Sequence, residues 1–177
     1  VYRGARYSCL DNHQRALEDF DQVIELTPDY AFAYPNRGDG YSSLDQHQRA
    51  LEDFDNVIDL TPDAAIDYAN RGYRYTTLGQ HQRAIKDCDK AIELDPDYAM
   101  AYAYRGRCYS SLDQHQRALE DYDKVIELTP DAAWAYGNRG RCYSSLDQHQ
   151  RALEDFDKVI ELTPDDALAY TNRGNSY

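Results

Sequence analysis

One spacing governs this chain. Prolines at Pro28, Pro62, Pro96, Pro130 and Pro164, histidines at His13, His47, His81, His115 and His149, and Arg-Gly pairs beginning at Arg3, Arg37, Arg71, Arg105, Arg139 and Arg173 all recur every 34 residues. A fixed period of that length belongs to a stacked array, in which one supersecondary unit buries its apolar face only against its neighbours. The expected domain is therefore a single elongated array over residues 1–177, with partial units at 1–30 and 167–177 and full units at 31–64, 65–98, 99–132 and 133–166. Because the chain starts at Val1 and stops inside a unit, it is expected to be a piece of a longer array.

The unit itself is two helices. In residues 31–64, Tyr34, Gly38 and Tyr41 fall at helical spacing over 31–44, and Ala50, Leu51, Phe54, Val57, Ile58 and Leu60 trace a second apolar stripe over 49–60. Between them, Asp45 and Gln48 have the spacing of a capping box. Pro62 is expected in the first turn of the next helix, and Pro35 would cost a donor inside a helix starting at Ala31. No strand is expected, so the fold class is all-α. Residues 105–132 and 139–166 differ only at Tyr122/Phe156 and Ala132/Asp166, so slipped pairings between repeats should be close in energy.

The pattern Tyr34-x2-Arg37-Gly38-x2-Tyr41, then Ala50-x3-Phe54, then Pro62 resembles the tetratricopeptide repeat, and it recurs through Tyr68/Gly72/Tyr75, Tyr102/Gly106/Tyr109 and Tyr136/Gly140/Tyr143. The resemblance implies an α-solenoid of stacked helix-turn-helix units wound as a right-handed superhelix, with the first helix of each unit lining a concave groove. It also implies a protein-binding role. The chain departs from the family at several places: Tyr replaces the usual tryptophan at 34, 68, 102, 136 and 170, histidine replaces the hairpin-turn aromatic, and Cys88 replaces a core aromatic.

Charge and composition narrow the partners. The net charge of −13 disfavours nucleic acid or an anionic membrane as a partner of the whole surface. No apolar run approaches the length of a membrane span. Cys9, Cys88, Cys108 and Cys142 form no CxxC pair and no glycosylation sequon occurs, which points to a reducing cytoplasm. The histidines occupy equivalent turns, and helices stacked about 8–10 Å apart would hold them too far apart to share an ion, so no metal or other cofactor is expected. Serines 42–43, 110–111 and 144–145 precede a histidine, but a hydrolytic triad also needs an orienting group and an oxyanion site. No catalysis is expected.

Two sets of polar residues remain. The Arg-Gly arginines fall where the family places an apolar residue, and an unpaired buried guanidinium would be costly. The pairs Arg3–Asp19, Arg37–Asp53, Arg71–Asp87, Arg105–Asp121 and Arg139–Asp155 are therefore expected. The first-helix segments sum to +8 and the intervening halves to −21, which gives the implied groove a neutral to basic lining inside an acidic shell. Beyond the paired arginines, that lining keeps Arg6, Arg74, Arg107 and Arg141, opposed by Asp39 and Asp67.

Family groove positions carry Asn36, Asn70, Asn138 and Asn172, with Tyr104 breaking the series and Tyr73, Arg107 and Arg141 one turn on. Phe32, Ile66, Met100, Trp134 and Leu168 form an apolar row at the edge. The lysines with which some family members hold a terminal carboxylate are replaced by Ala69, Ala103 and Gly137 at one site and by Ile66, Met100 and Trp134 at the other. The region around Tyr104, Arg107, Trp134, Asn138 and Arg141 is the leading candidate for a protein or peptide ligand, in particular an acidic one. The alternatives are a structural array that self-associates end to end as a homo-oligomer, and the regulatory segment of a larger enzyme.

Overall fold

The computed structural model describes the backbone of residues 2–177 and the side chains of residues 13–177. Among them it contains helices only: α1 (Tyr2–Leu26), α2 (Ala33–Ser43), α3 (His47–Leu60), α4 (Ala65–Thr77), α5 (His81–Leu94), α6 (Ala99–Ser111), α7 (His115–Leu128), α8 (Ala133–Ser145), α9 (His149–Leu162) and α10 (Ala167–Ser176). Each helix packs on the next in sequence, and α4–α6, α6–α8 and α8–α10 also touch. No pair of second helices makes comparable contact among the described residues. The stack therefore curves with the even-numbered helices on its inner side, and the fold is an α-solenoid. None of the described helices is long and apolar enough to cross a membrane.

Within a hairpin the two helices meet at a glycine. A Cβ on Gly140 would stand 2.9 Å from the Phe156 ring, and one on Gly72 would stand 3.2 Å from the carbonyl oxygen of Ala84. Ala50, Ala84, Ala118 and Ala152, opposite these glycines, are fully buried. The tyrosine that replaces the family's tryptophan uses its hydroxyl: Tyr34 donates to the carbonyl of Pro28 at 2.8 Å, and Tyr102 to that of Pro96 at 3.1 Å.

The turns differ from the sequence expectation. Asp45 does not cap α3, whose N-cap is Gln46 with no side-chain bond. Instead Asp45 adopts a left-handed φ of 58° and ends α2, with its own amide bonded to Ser42 O at 3.1 Å and the Gln46 amide to Tyr41 O at 2.8 Å. This is a Schellman closure, in which the left-handed residue follows the helix and two amides return to its last carbonyls. Gly79 takes the same place after α4 with φ 69°, and that glycine was the sequence clue to the turn.

Pro62 is not in the first turn of α4 either. It sits inside the turn between α3 and α4, where the amide of Ala64 bonds Thr61 O at 3.1 Å, the position a fixed φ suits. Pro35 proves harmless because α2 starts at Ala33; its missing amide is one of the first few that no helix satisfies. α1 runs unbroken through His13, so that histidine lies within a helix, whereas His47, His81, His115 and His149 each begin one rather than sitting in the turn before it.

Candidate functional site

The strongest polar feature is a ladder between hairpins. Arg37 donates from Nε and Nη2 to the two carboxylate oxygens of Asp53 at 3.0 and 2.6 Å, and from Nη1 to Asp21 at 2.7 Å. Arg71 repeats this with Asp87 and Asp55, Arg105 with Asp121 and Asp89, and Arg139 with Asp155 and Asp123. The four intra-repeat pairs expected on described residues are thus present and bidentate. Arg3, of the fifth, lies outside the described side chains.

The second carboxylate was not foreseen. It comes from the helix before, so each guanidinium joins two successive repeats. Its clue is the Asp-x-Asp of every second helix, as in Asp53-x-Asp55, which offers one acid 16 residues after one arginine and one 16 residues before the next. Hydrogen bonds to the aspartates raise Arg37, Arg71 and Arg139 above the usual guanidinium value despite burial. Burial pushes Asp53, Asp121 and Asp155 up, yet the bidentate arginine keeps each pair charged near neutrality.

On the inner face, the predicted residues fall into three places. At one end, Trp134, Asn138, Arg141 and Asn172 line a cavity of about 180 Å³ between α8 and α10, with Gly137 and Leu168 in its wall and Phe156 and Val159 at its base. At the other end, Asn36 and Asn70 line a cavity of about 340 Å³ between α2 and α4, with Phe32, Ile66 and Pro35 around it and Val57 beneath. Between these ends Tyr73 and Tyr104 stack on each other, their centroids 4.9 Å apart. Tyr104 also packs on the buried cluster of Ala69, Ala91 and Ala101. The structure therefore does not join Tyr104 to Trp134, Asn138 and Arg141 in one cavity.

The carboxamides are unequal. Asn36 donates to the carbonyl of Phe32 at 2.7 Å, within its own helix, whereas Asn70, Asn138 and Asn172 have no side-chain hydrogen bond to another described residue. The cations also divide. Arg74 is paired with Asp39 and lies over the Phe54 and Tyr73 rings at 5.6 and 5.0 Å. Arg107 and Arg141 are exposed and form no ion pair with a described residue; Arg6 lies outside the described side chains. Asp67, at the start of α4, is buried and accepts from Thr61 Oγ1 at 2.9 Å, and burial pushes its carboxyl up.

The sequence placed Gly137 only where some family members carry a lysine, not as a cavity wall. The corresponding positions, Pro35, Ala69, Ala103, Gly137 and Thr171, form one series along the groove, and its smallest member opens a cavity wall: a Cβ there would meet only Val159, at 3.7 Å. The histidines gather no metal site; no group of three or more His, Cys, Asp or Glu is arranged to hold an ion among the described residues. His47, His81 and His115 begin second helices with Nδ1 buried and unbonded. Cys88, Cys108 and Cys142 are free and buried, and the Cys108 sulfur lies 3.1 Å from Thr76 Oγ1.

Helix hairpins of constant length, stacked with glycine contacts and an inward-facing first helix, define a repeat solenoid. Three family models described as tetratricopeptide repeat match residues 65–98, 88–120 and 106–173. The chain belongs to the tetratricopeptide repeat family. Among solved structures it is similar to MamA, with TM-score 0.79 and 25% identity over 93% of this chain and 96% of that one. It is likewise similar to YrrB, a TPR protein with an unusual peptide-binding site, with TM-score 0.76 and 26% identity over 94% of this chain and 86% of that one. TTC0263, a thermophilic TPR protein of Thermus thermophilus, shares the fold with TM-score 0.76 and 19% identity over 99% of this chain and 96% of that one. No curated protein matches the sequence.

Proposed function

We propose that this array is a non-catalytic scaffold that takes an extended segment of another protein along its inner face. The observation that carries this reading is the cavity between α8 and α10: an apolar lining of Trp134, Leu168 and Val159 beside the unbonded carboxamides of Asn138 and Asn172 and the unpaired Arg141. Apolar surface would supply buried area, carboxamides would pair with a ligand backbone, and the cation would favour an acidic neighbour. The peptide-binding site of YrrB, at 26% identity, supports the same use of the fold.

An acidic peptide carrying one apolar residue tests this by titration at low and at high salt. Binding that weakens with salt and is lost in Arg141→Glu is the expected result. Binding indifferent to both salt and Arg141 would reject the reading.

A further inference from the structure

The five inner helices repeat one another closely, yet the gaps between them are not alike. The gap between α2 and α4 is open over Val57, and the gap between α8 and α10 is open over Val159. One period on from Val57 stands Ala91, a smaller floor. Above it the asparagine of the other repeats is Tyr104, whose ring rests on Ala69, Ala91 and Ala101 and fills the gap between α4 and α6. In the next gap, Ala103, Val125 and Ala135 pack together with Tyr102 and Ile126. The wall residue of the series follows suit: Ala69 and Ala103 are buried, while Pro35 and Gly137 keep contact with solvent.

Resting on the reading of the inner face as a peptide site, we infer that the ligand is a two-anchor segment. One apolar side chain enters the α2–α4 cavity, a second enters the α8–α10 cavity, and the stretch between them crosses the Tyr73–Tyr104 ridge without an anchor. Three helix-to-helix steps separate the cavities, which at about 8–10 Å per step is about 24–30 Å. An extended chain at about 3.3 Å per residue covers that distance in about seven to nine residues. The acidic residues belong on the stretch leading to the α8–α10 anchor, because Arg107 on α6 and Arg141 on α8 are exposed and unpaired, the cavity's own acid, Asp166, is held by the amides of Leu168 and Ala169, and Arg74 is already neutralised by Asp39.

The protein carries its own reporter. Its single tryptophan, Trp134, forms part of the α8–α10 wall. Three synthetic peptides of equal length and equal negative charge serve as probes: one with leucines about eight residues apart, one with leucines about four apart, and one with both leucines replaced by alanine. Affinity is measured calorimetrically alongside Trp134 emission. The wide-spaced peptide should bind at least tenfold tighter than the other two and shift the emission to the blue.

Gly137→Leu fills the second cavity and should erase the preference for wide spacing. Tyr104→Asn opens the gap between α4 and α6 and should tighten the short-spaced peptide, with circular dichroism confirming the helical fold of both variants. Equal affinity for the wide- and short-spaced peptides, or tight binding with unchanged Trp134 emission, would overturn the two-anchor arrangement while leaving the groove reading in place. Failure of all three peptides to bind at low salt would instead overturn both.

Discussion

Two stretches of the inner face built on the same repeat behave in opposite ways. Around α4 to α6 a tyrosine rings the groove shut; around α8 to α10 a glycine leaves it open. Both stretches share the hairpin, the glycine contact and the arginine ladder, so neither difference comes from the scaffold. Tyr104 in place of asparagine, Ala91 in place of valine and Cys88 in place of a core aromatic occur together at the closed stretch, and Tyr104 counts Tyr73, Arg74 and Cys88 among its ionisable neighbours. Substitutions facing one gap thus change the shape of the inner face, while the ladder is the same in both stretches.

The largest effect should come from breaking what the two stretches share. Removing one partner of a buried ion pair costs about 3–5 kcal/mol; here the second aspartate and the partly open arginine soften that to about 2–3 kcal/mol. Asp87→Ala and Asp155→Ala should therefore destabilise by similar amounts in urea titrations. A loss under about 1 kcal/mol in either would show that the ladder is decorative.

Next in size is the ring itself. Fully buried aromatic truncations cost about 3–5 kcal/mol, and for the half-buried Tyr104 we expect about 1–2 kcal/mol in Tyr104→Asn. In the Cys88→Phe background this cost should change, because the two sites share one packed gap. Strict additivity in a double-mutant cycle would separate them.

Alkali should distinguish the stretches as well. Burial, with Cys108 nearby, pushes the Cys88 thiol far above its ordinary value of 9.0. The folded state therefore holds that proton where the unfolded chain releases it, and stability falls as pH rises past about 9. The loss approaches about 1.4 kcal/mol per pH unit for one such group. Chemical denaturation between pH 8 and 10.5 should show a shallower decline for Cys88→Ala than for the parent; parallel declines would remove Cys88 as a contributor.

The smallest contrast lies within α8. Alanine gains about 1 kcal/mol over glycine in a helix interior. Gly137→Ala should realise that gain, since its Cβ meets only Val159 at 3.7 Å. Gly140→Ala forces the buried Phe156 ring to move, a strain of about 1–3 kcal/mol. The midpoint of thermal unfolding should rise in the first variant and not in the second.

Much of this could be read from the chain alone, for reasons visible in particular residues. The arginine–aspartate pairs were legible because both partners recur with one separation in every unit. The bridge to the preceding repeat was not, because each arginine was expected to pair with one aspartate of its own hairpin, which left Asp55 and its equivalents unassigned. Asp45 was misread as a cap because an aspartate before a helix ordinarily accepts from its amides; its left-handed backbone belongs to the helix it ends. The candidate residues were found individually, but their division into two cavities depends on what lies beneath each gap, and side chains on α3, α5 and α9 decide that.

Arg173 shows what the bridging arginines mean for an array of this kind. It reaches Asp157 at 2.6 Å and, among the described residues, has no second carboxylate. Shortening such a solenoid by one hairpin would leave the newly terminal guanidinium clasped on one flank only, so each truncation should weaken the unit it exposes as well as deleting its own contribution. Firmness would then grow with repeat number faster than in simple proportion for the shortest arrays, and settle to a constant increment once every interior clasp is double.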